Sequence, residues 1–413
     1  MGCIQMAERV VERLGDICSD ISYGYTESAT SENIGPKFLR ITDITSDYID
    51  WNSVPYCKIS DEDYNKYKLY YNDIVIARTG ATTGYNKQFT KDIDAVYASY
   101  LIRFRVDEKK ANARYIYYYL KSSAYTGFVN NYVTGAAQPG INATVLSRFK
   151  IPLPDLSTQK KIADILSAYD DLIENNLARI SLLEKMASEL YKEWFVRFRF
   201  PGHEAAKFVD GVPEGWEVVQ VESVSSLLRR GISPVYNDYG EYTVINQKCI
   251  RSSILSLDEA RKQERKYPKE LNLQDADIVI CSTGTGTLGR VGKVFGDLPN
   301  TTYDSHVTVV RAAENIGKHY LYHTLKINQT YLMSQGRGST NQQELSRDTI
   351  KKLKIFLPTT EIMQRFEEFI EPIHREIILS EKKLANLTKQ RDLLLPRLMS
   401  GKLSVEPLLS ETA

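Results

Sequence analysis

The residues of this chain that could do chemistry fall into a few short constellations. Gly284-Thr285-Gly286-Thr287-Leu288-Gly289 spells GxGxxG after a strand-like run. A phosphate or methyl-donor cradle of this kind needs a helix next, whose N-terminus meets the anion. Here Arg290-Val291-Gly292-Lys293-Val294 follows, which reads as a strand or turn, so a tight loop is expected and not a cofactor site. Asp107-Glu108-Lys109 and Glu381-Lys382-Lys383 are acid-x-Lys fragments of the kind nucleases use, but such fragments are common, and the second reads as a helix exterior. Of the histidines, only His319 and His323 have an i,i+4 spacing, and no Glu lies beside them, which points to packing or surface rather than zinc. Cys3, Cys18, Cys57, Cys249 and Cys281 form no CxxC, which excludes a zinc ribbon or disulfide scaffold and suggests a reducing cytosol. The chain has no Pro-Pro pair, so it lacks the polar-Pro-Pro-aromatic loop of base-flipping amino-methyltransferases.

With no catalytic set in hand, organisation becomes the informative level. The 413 residues suggest two or three domains, with 42% hydrophobic and 25% charged residues. No apolar run approaches the roughly 20 residues of a membrane span, and the N-terminus lacks an apolar signal core. Net charge is only +1: residues 1–156 carry 18 basic and 18 acidic side chains, and 201–358 carry 20 and 18. A protein gripping DNA alone usually has a clear basic excess. Either the cations cluster on one face or a partner supplies much of the phosphate grip.

The chain is written twice. Asp73-Ile74-Val75-Ile76-Ala77-Arg78-Thr79-Gly80 matches Asp277-Ile278-Val279-Ile280-Cys281-Ser282-Thr283-Gly284, 204 residues on. Phe149–Pro154 matches Leu353–Pro358 at the same offset. Each half predicts short strands (72–78, 98–106; 277–282, 305–311) and helices (112–121; 316–326) separated by turn clusters. The expectation is an α+β protein with two similar globular α/β domains, 1–156 and 201–358. Each is followed by a long helix, 157–200 and 359–413.

The helices carry a sustained 4-3 apolar spacing. The first runs Ile162, Leu166, Tyr169, Ile173, Asn176, Ile180, Leu183, Ala187, Leu190, Trp194; the second runs Phe366, Ile370, Ile373, Ile377, Ser380, Leu384, Leu387, Arg391, Leu394. This is the seam of a coiled coil, and chain connectivity favours antiparallel, pseudo-twofold pairing. Packing of each helix on its own domain is the alternative. Asn176 and Ser380, again 204 apart, would fix register. Ser157 or Thr158 and Thr360-Glu361 suit the N-termini; Pro201-Gly202 would close the first helix, and Pro396 would end or kink the second. From 162 to 194 such a helix is about 50 Å long, roughly 15 base pairs of DNA.

Four stretches then give a resemblance. They are Ile151-Pro152-Leu153-Pro154 leading through Gln159 into the first helix, and Leu190-Tyr191-Lys192-Glu193-Trp194-Phe195-Val196-Arg197-Phe198 at its end. The others are Val212-Pro213-Glu214-Gly215-Trp216, and Leu394-Leu395-Pro396-Arg397-Leu398-Met399-Ser400-Gly401-Lys402-Leu403. Together with the duplication they resemble the specificity subunit of type I restriction-modification systems. The resemblance implies that each domain reads one half of a bipartite, asymmetric site in double-stranded DNA and that the helices set the spacer. It also implies docking of two modification (methyltransferase) subunits, with restriction subunits as further partners. S-adenosylmethionine, ATP and magnesium would belong to those partners, leaving no cofactor, metal or catalytic residue here. A self-sufficient DNA-modifying enzyme and a coiled-coil adaptor without DNA selectivity are the competing readings.

Two loop sets have the composition that reads bases and holds phosphates. In the first domain the candidates are Arg78, Thr79, Gly80, Thr82, Thr83, Gln138 and Asn142; in the second they are Ser282, Thr283, Thr285, Arg290, Arg337, Asn341 and Gln342, with Arg229 and Arg230 on an early basic turn. Arg337 suits a guanine edge and Gln138, Asn341 or Gln342 an adenine edge. Gly-Thr-Ser-Asn loops are also ordinary turns.

Overall fold

The computed structural model describes residues 9–46, 48–133, 140–251, 255–284, 286–338 and 343–405. The chain divides into two compact units, one of residues 1–177 with 383–413 and the other of residues 178–382, so the division falls within both long helices.

In the first unit an antiparallel four-stranded sheet has the order Cys18–Tyr23, Leu101–Val106, Ile74–Ala77, Asn86–Gln88. Strand Ile74–Ala77 is buried on both faces. Its period of two sends Ile74 and Ile76 into one core and Val75 and Ala77 into another. The first of these cores also takes in Tyr115, Ile116, Ile162 and Leu166. Beside the sheet lie the parallel pair Lys37–Leu39 with Ala95–Tyr97 and the ribbon Val10–Arg13 with Lys150–Leu153.

The second unit repeats this plan. Its sheet runs Ser225–Arg230, Val307–Ala312, Ile278–Cys281, Val291–Lys293. The parallel pair is Tyr242–Ile245 with Thr301–Tyr303, and the ribbon is Glu217–Gln220 with Lys354–Leu357. At the head of each central strand sits a buried aspartate. Asp73 takes the Arg105 guanidinium in two bonds of 2.8 Å, and Asp277 takes Arg311 in bonds of 2.7 and 2.8 Å. Each also caps the turn before it, accepting from the Tyr70 or Gln274 backbone N–H.

The long helices span Leu156–Tyr191 and Thr360–Ser400. The second begins at Thr360 with Glu361 in its first turn, as expected, whereas the cap of the first and the end of the second differ from the sequence expectation. Asp155, not Ser157 or Thr158, caps the first, accepting from the Thr158 amide (3.0 Å) and hydroxyl (2.7 Å). That helix ends before Pro201-Gly202, widening into a π turn at Lys192–Val196 in which Trp194 and Phe195 are both buried. The second helix runs on one turn beyond Pro396 and stops at Gly401, whose φ of 75° suits glycine.

Within the first unit Ile162, Leu166, Ile173 and Asn176 are buried, Tyr169 is half-buried, and Leu384 and Leu387 are half-buried. Ile162 and Leu166 share a core with Leu394 and Leu398, while Asp170 reaches back to Arg391, so the two helical segments run antiparallel. Within the second unit Ile180, Phe366, Ile370, Ile373, Ile377 and Ser380 are buried and Leu183 is half-buried. Trp194 meets Phe366 at 5.7 Å and Arg179 meets Glu376 at 2.9 Å, again antiparallel. The buried Asn176 amide is satisfied within its own helix, donating to the Leu172 carbonyl at 2.7 Å. Among the described residues no helix is long and apolar enough to cross a membrane.

Candidate nucleic-acid interface

In each unit the two candidate loops meet. The first unit joins Thr79 to Gly140 in a β-bridge, and the Ile141 amide donates to the Arg78 carbonyl at 2.8 Å. The second joins Thr283 to Glu344 and Glu344 to Arg337, and the Leu345 amide donates to the Ser282 carbonyl at 2.8 Å. A third segment closes the same edge. The amides of Arg78 and Ser282 donate to the carbonyls of Tyr100 and His306, the residues just before the neighbouring strands. Left-handed glycines make these turns possible. Gly80 and Gly84 have φ of 76° and 87°; Gly284, Gly286 and Gly289 have 101°, 79° and 72°. The GxGxxG run is thus a turn leading into strand Val291–Lys293.

The side chains at this edge divide by role. Arg78 lies over the Tyr23 ring, 5.0 Å from its centre. Thr82 and Thr83 lie on the turn after Gly80, where the Thr83 hydroxyl donates to the Gly80 carbonyl at 2.7 Å. Asn142 caps the short helix Ala143–Leu146, accepting from Val145 at 2.9 Å. Ser282 does not present its side chain: it is fully buried, bonded to the Thr308 hydroxyl at 2.7 Å. Thr283 takes the surface place, bonded to His306 Nδ1 at 2.7 Å. Arg290 braces the loop, donating to the carbonyls of Ile250 (2.9 Å) and Gly286 (3.2 Å). Arg229 pairs with Glu270 at 2.7 Å, and Arg230 donates to the Ser305 carbonyl at 2.7 Å and pairs with Glu344. Arg337 is exposed, and its side chain makes no ion pair among the described residues. Gln138, Thr285, Asn341 and Gln342 lie outside the described residues. Among those described, no cluster of three or more His, Cys, Asp or Glu is placed to hold a metal.

Sequence reasoning missed Tyr23, Tyr100 and His306. The signal exists: Tyr97-Ala98-Ser99-Tyr100 parallels Tyr303-Asp304-Ser305-His306. It sits at an offset of 206 and not 204, because each of the two connections that precede it is one residue longer in the second unit. Gly24 and Gly231 belong to the same edge. A Cβ on either would come within 2.3 or 2.1 Å of a backbone oxygen on the facing chain, so only glycine fits.

Comparison with known proteins places the chain in a family. The model of the type I restriction modification DNA specificity domain matches residues 7–185 and again 213–389. The chain belongs to the type I restriction-modification DNA specificity family. It is 30% identical over 313 residues to the type I restriction enzyme MjaIX specificity subunit of Methanocaldococcus jannaschii, covering 72% of this chain and 70% of that one. It is 23% identical to the HindI specificity subunit of Haemophilus influenzae, covering 94% and 98%. The fold is that of the S subunit from M. genitalium, with a TM-score of 0.61 at 16% identity and 96% and 98% coverage. As a type I specificity subunit, the chain has two target recognition domains, which fit a bipartite DNA site.

Proposed function

We propose that this specificity subunit is a non-catalytic sequence reader, each domain presenting its three-segment edge to one half-site. One observation carries this reading: the same edge is built twice, on equal backbone bonds, with unlike side chains. Tyr23 and Tyr100 stand where Arg230 and His306 stand in the second unit. Equal backbones give equal placement, and unequal side chains read unequal bases. The near-neutral charge suits a subunit that shares the phosphate grip with methyltransferase subunits, which dock on it as two copies and bring S-adenosylmethionine. Restriction subunits would add ATP, magnesium and cleavage. The long helices act as the spacer element. Removing one matched heptad from both is expected to shorten the unspecified gap in the target.

Selection of bound sequences from a random duplex pool tests the reading, using the purified chain with and without its methyltransferase subunits. A two-part motif with unlike halves is expected. Methyl transfer by the chain alone would make it an enzyme, and no selectivity in either arm would make it an adaptor.

A further inference from the structure

Tyr100 and His306 share an unusual setting. Each is exposed, Tyr100 at 58%, yet buried residues flank it within two positions: Ala98 and Leu101 in one unit, Asp304 and Val307 in the other. The backbone of each is pinned, since Arg78 N–H donates to Tyr100 at 3.0 Å and Ser282 N–H to His306 at 2.8 Å. Packing does not require a large ring to stand out from such a rigid point.

We propose that His306 is a base-contacting residue of the second domain and that Tyr100 holds the equivalent post in the first. This rests on the DNA-reading function above. The imidazole is oriented by its neighbours. Thr283 has one hydroxyl proton and two partners, His306 Nδ1 at 2.7 Å and Gln247 Oε1 at 3.3 Å. Gln247 Oε1 can only accept, so Thr283 donates to it and receives the proton of His306 Nδ1. With Nδ1 carrying that proton, Nε2 is the acceptor of the imidazole form of the ring. A bare acceptor selects an exocyclic amine, which in the major groove means adenine N6 or cytosine N4. Among the described residues the first unit has no such chain, and Ile41 takes the place of Gln247 as the first residue of the matching turn. Tyr100 offers instead a hydroxyl and an apolar ring. Thr283 is a positioning residue, acting through His306.

The test is motif selection with the full chain assembled with its methyltransferase subunits. His306→Ala is expected to relax a preference for adenine or cytosine at one or two positions of one half-site. The expected loss of discrimination there is about tenfold, with the other half-site unchanged. Tyr100→Ala should affect the opposite half-site. Thr283→Val should partly copy His306→Ala, and Thr283→Ser should restore the preference. The inference is overturned if His306→Ala leaves every preference intact, weakens all sequences alike, or acts on the half-site that Tyr100→Ala affects. A wild-type complex with no preference in either half-site would overturn the DNA-reading function itself and this inference with it.

Discussion

The two units dock their domains onto their long helices at matched positions with unlike chemistry. In the first unit the Asn112 amide donates to Gln159 Oε1 at 2.9 Å, Arg114 donates to the Ser167 hydroxyl at 3.3 Å, and Tyr118 donates to Asp170 at 2.7 Å. Arg391 completes that last group from the second helix. In the second unit Gly317 N–H meets Met363 Sδ at 3.1 Å, His319 Nε2 meets Glu371 at 2.7 Å, and His323 Nε2 meets His374 Nε2 at 3.0 Å. Lys293, buried, bonds to His319 from the sheet. One hydroxyl outlasts both chemistries: Tyr115 donates to the Pro152 carbonyl and Tyr320 to the Phe356 carbonyl. The backbone geometry of docking is thus fixed by the fold, while the charge chemistry at the seam is free to differ.

The largest expected effects test what the units share. Asp73→Ala and Asp277→Ala each leave a half-buried guanidinium without its carboxylate and uncap a turn. Each should destabilise its own unit by about 2–4 kcal/mol, from the lost charge-assisted hydrogen bonds. Hydrogen exchange read peptide by peptide would show the loss confined to the mutated unit; a loss spread over both would contradict the matched-but-separate picture.

The next effect should appear in one unit only. Burial, helped by the Lys293 charge, holds His319 down to about 2, and burial holds His323 down to about 3. His374 is held down likewise. The unfolded chain takes up protons at these sites below pH about 6.5, where the folded unit does not. Their stability is therefore full above that pH and falls as pH drops, by at most about 1.4 kcal/mol per histidine per pH unit. Lys293, held by burial at about 7, acts with the same sign as pH falls from its ordinary 10.5. Glu367, whose carboxyl burial pushes up, acts with the opposite sign as pH falls. In the first unit, burial and Asp170 raise the Tyr118 phenol, which stays neutral throughout. Lowering pH from 7.5 to 5.5 should speed exchange in Lys318–Ile327, after correction for intrinsic rates, and leave Ala113–Tyr119 protected. Equal loosening of the two helices would contradict the assignment.

Gly24→Ala and Gly231→Ala should each cost about 1–3 kcal/mol, because the facing chain must move. Urea unfolding of the two variants should show matched losses. Unequal losses would mean that the edges are not equivalent. Smallest in stability is Arg337→Ala, at a surface site. If Arg337 reads a guanine, discrimination at one position should fall by about 1–3 kcal/mol. A change in salt dependence alone would make it a phosphate contact.

Much of the fold was legible because duplication leaves two copies of each signal. Asp73–Gly80 against Asp277–Gly284 exposed the central strand and its turn, and the 4-3 seams exposed the helices. The caps were less legible, since Asp155 competes with Ser157 and Thr158 for the same amides and only geometry decides. The candidate site was legible as loops but not as side chains. Ser282 and Thr283 look alike in sequence, yet the alternation at the strand end buries one and leaves the other half-buried at the surface. His319, His323 and His374 were unreadable because their meeting depends on the pairing of two distant helices.

The central claim is that one chain carries two unlike readers of one bipartite site. Mapping the methylated bases in DNA from cells that hold this subunit and its methyltransferase partner tests it most directly. The account predicts one interrupted motif with two different halves and a fixed gap; a single uninterrupted motif, or two identical halves, would contradict it.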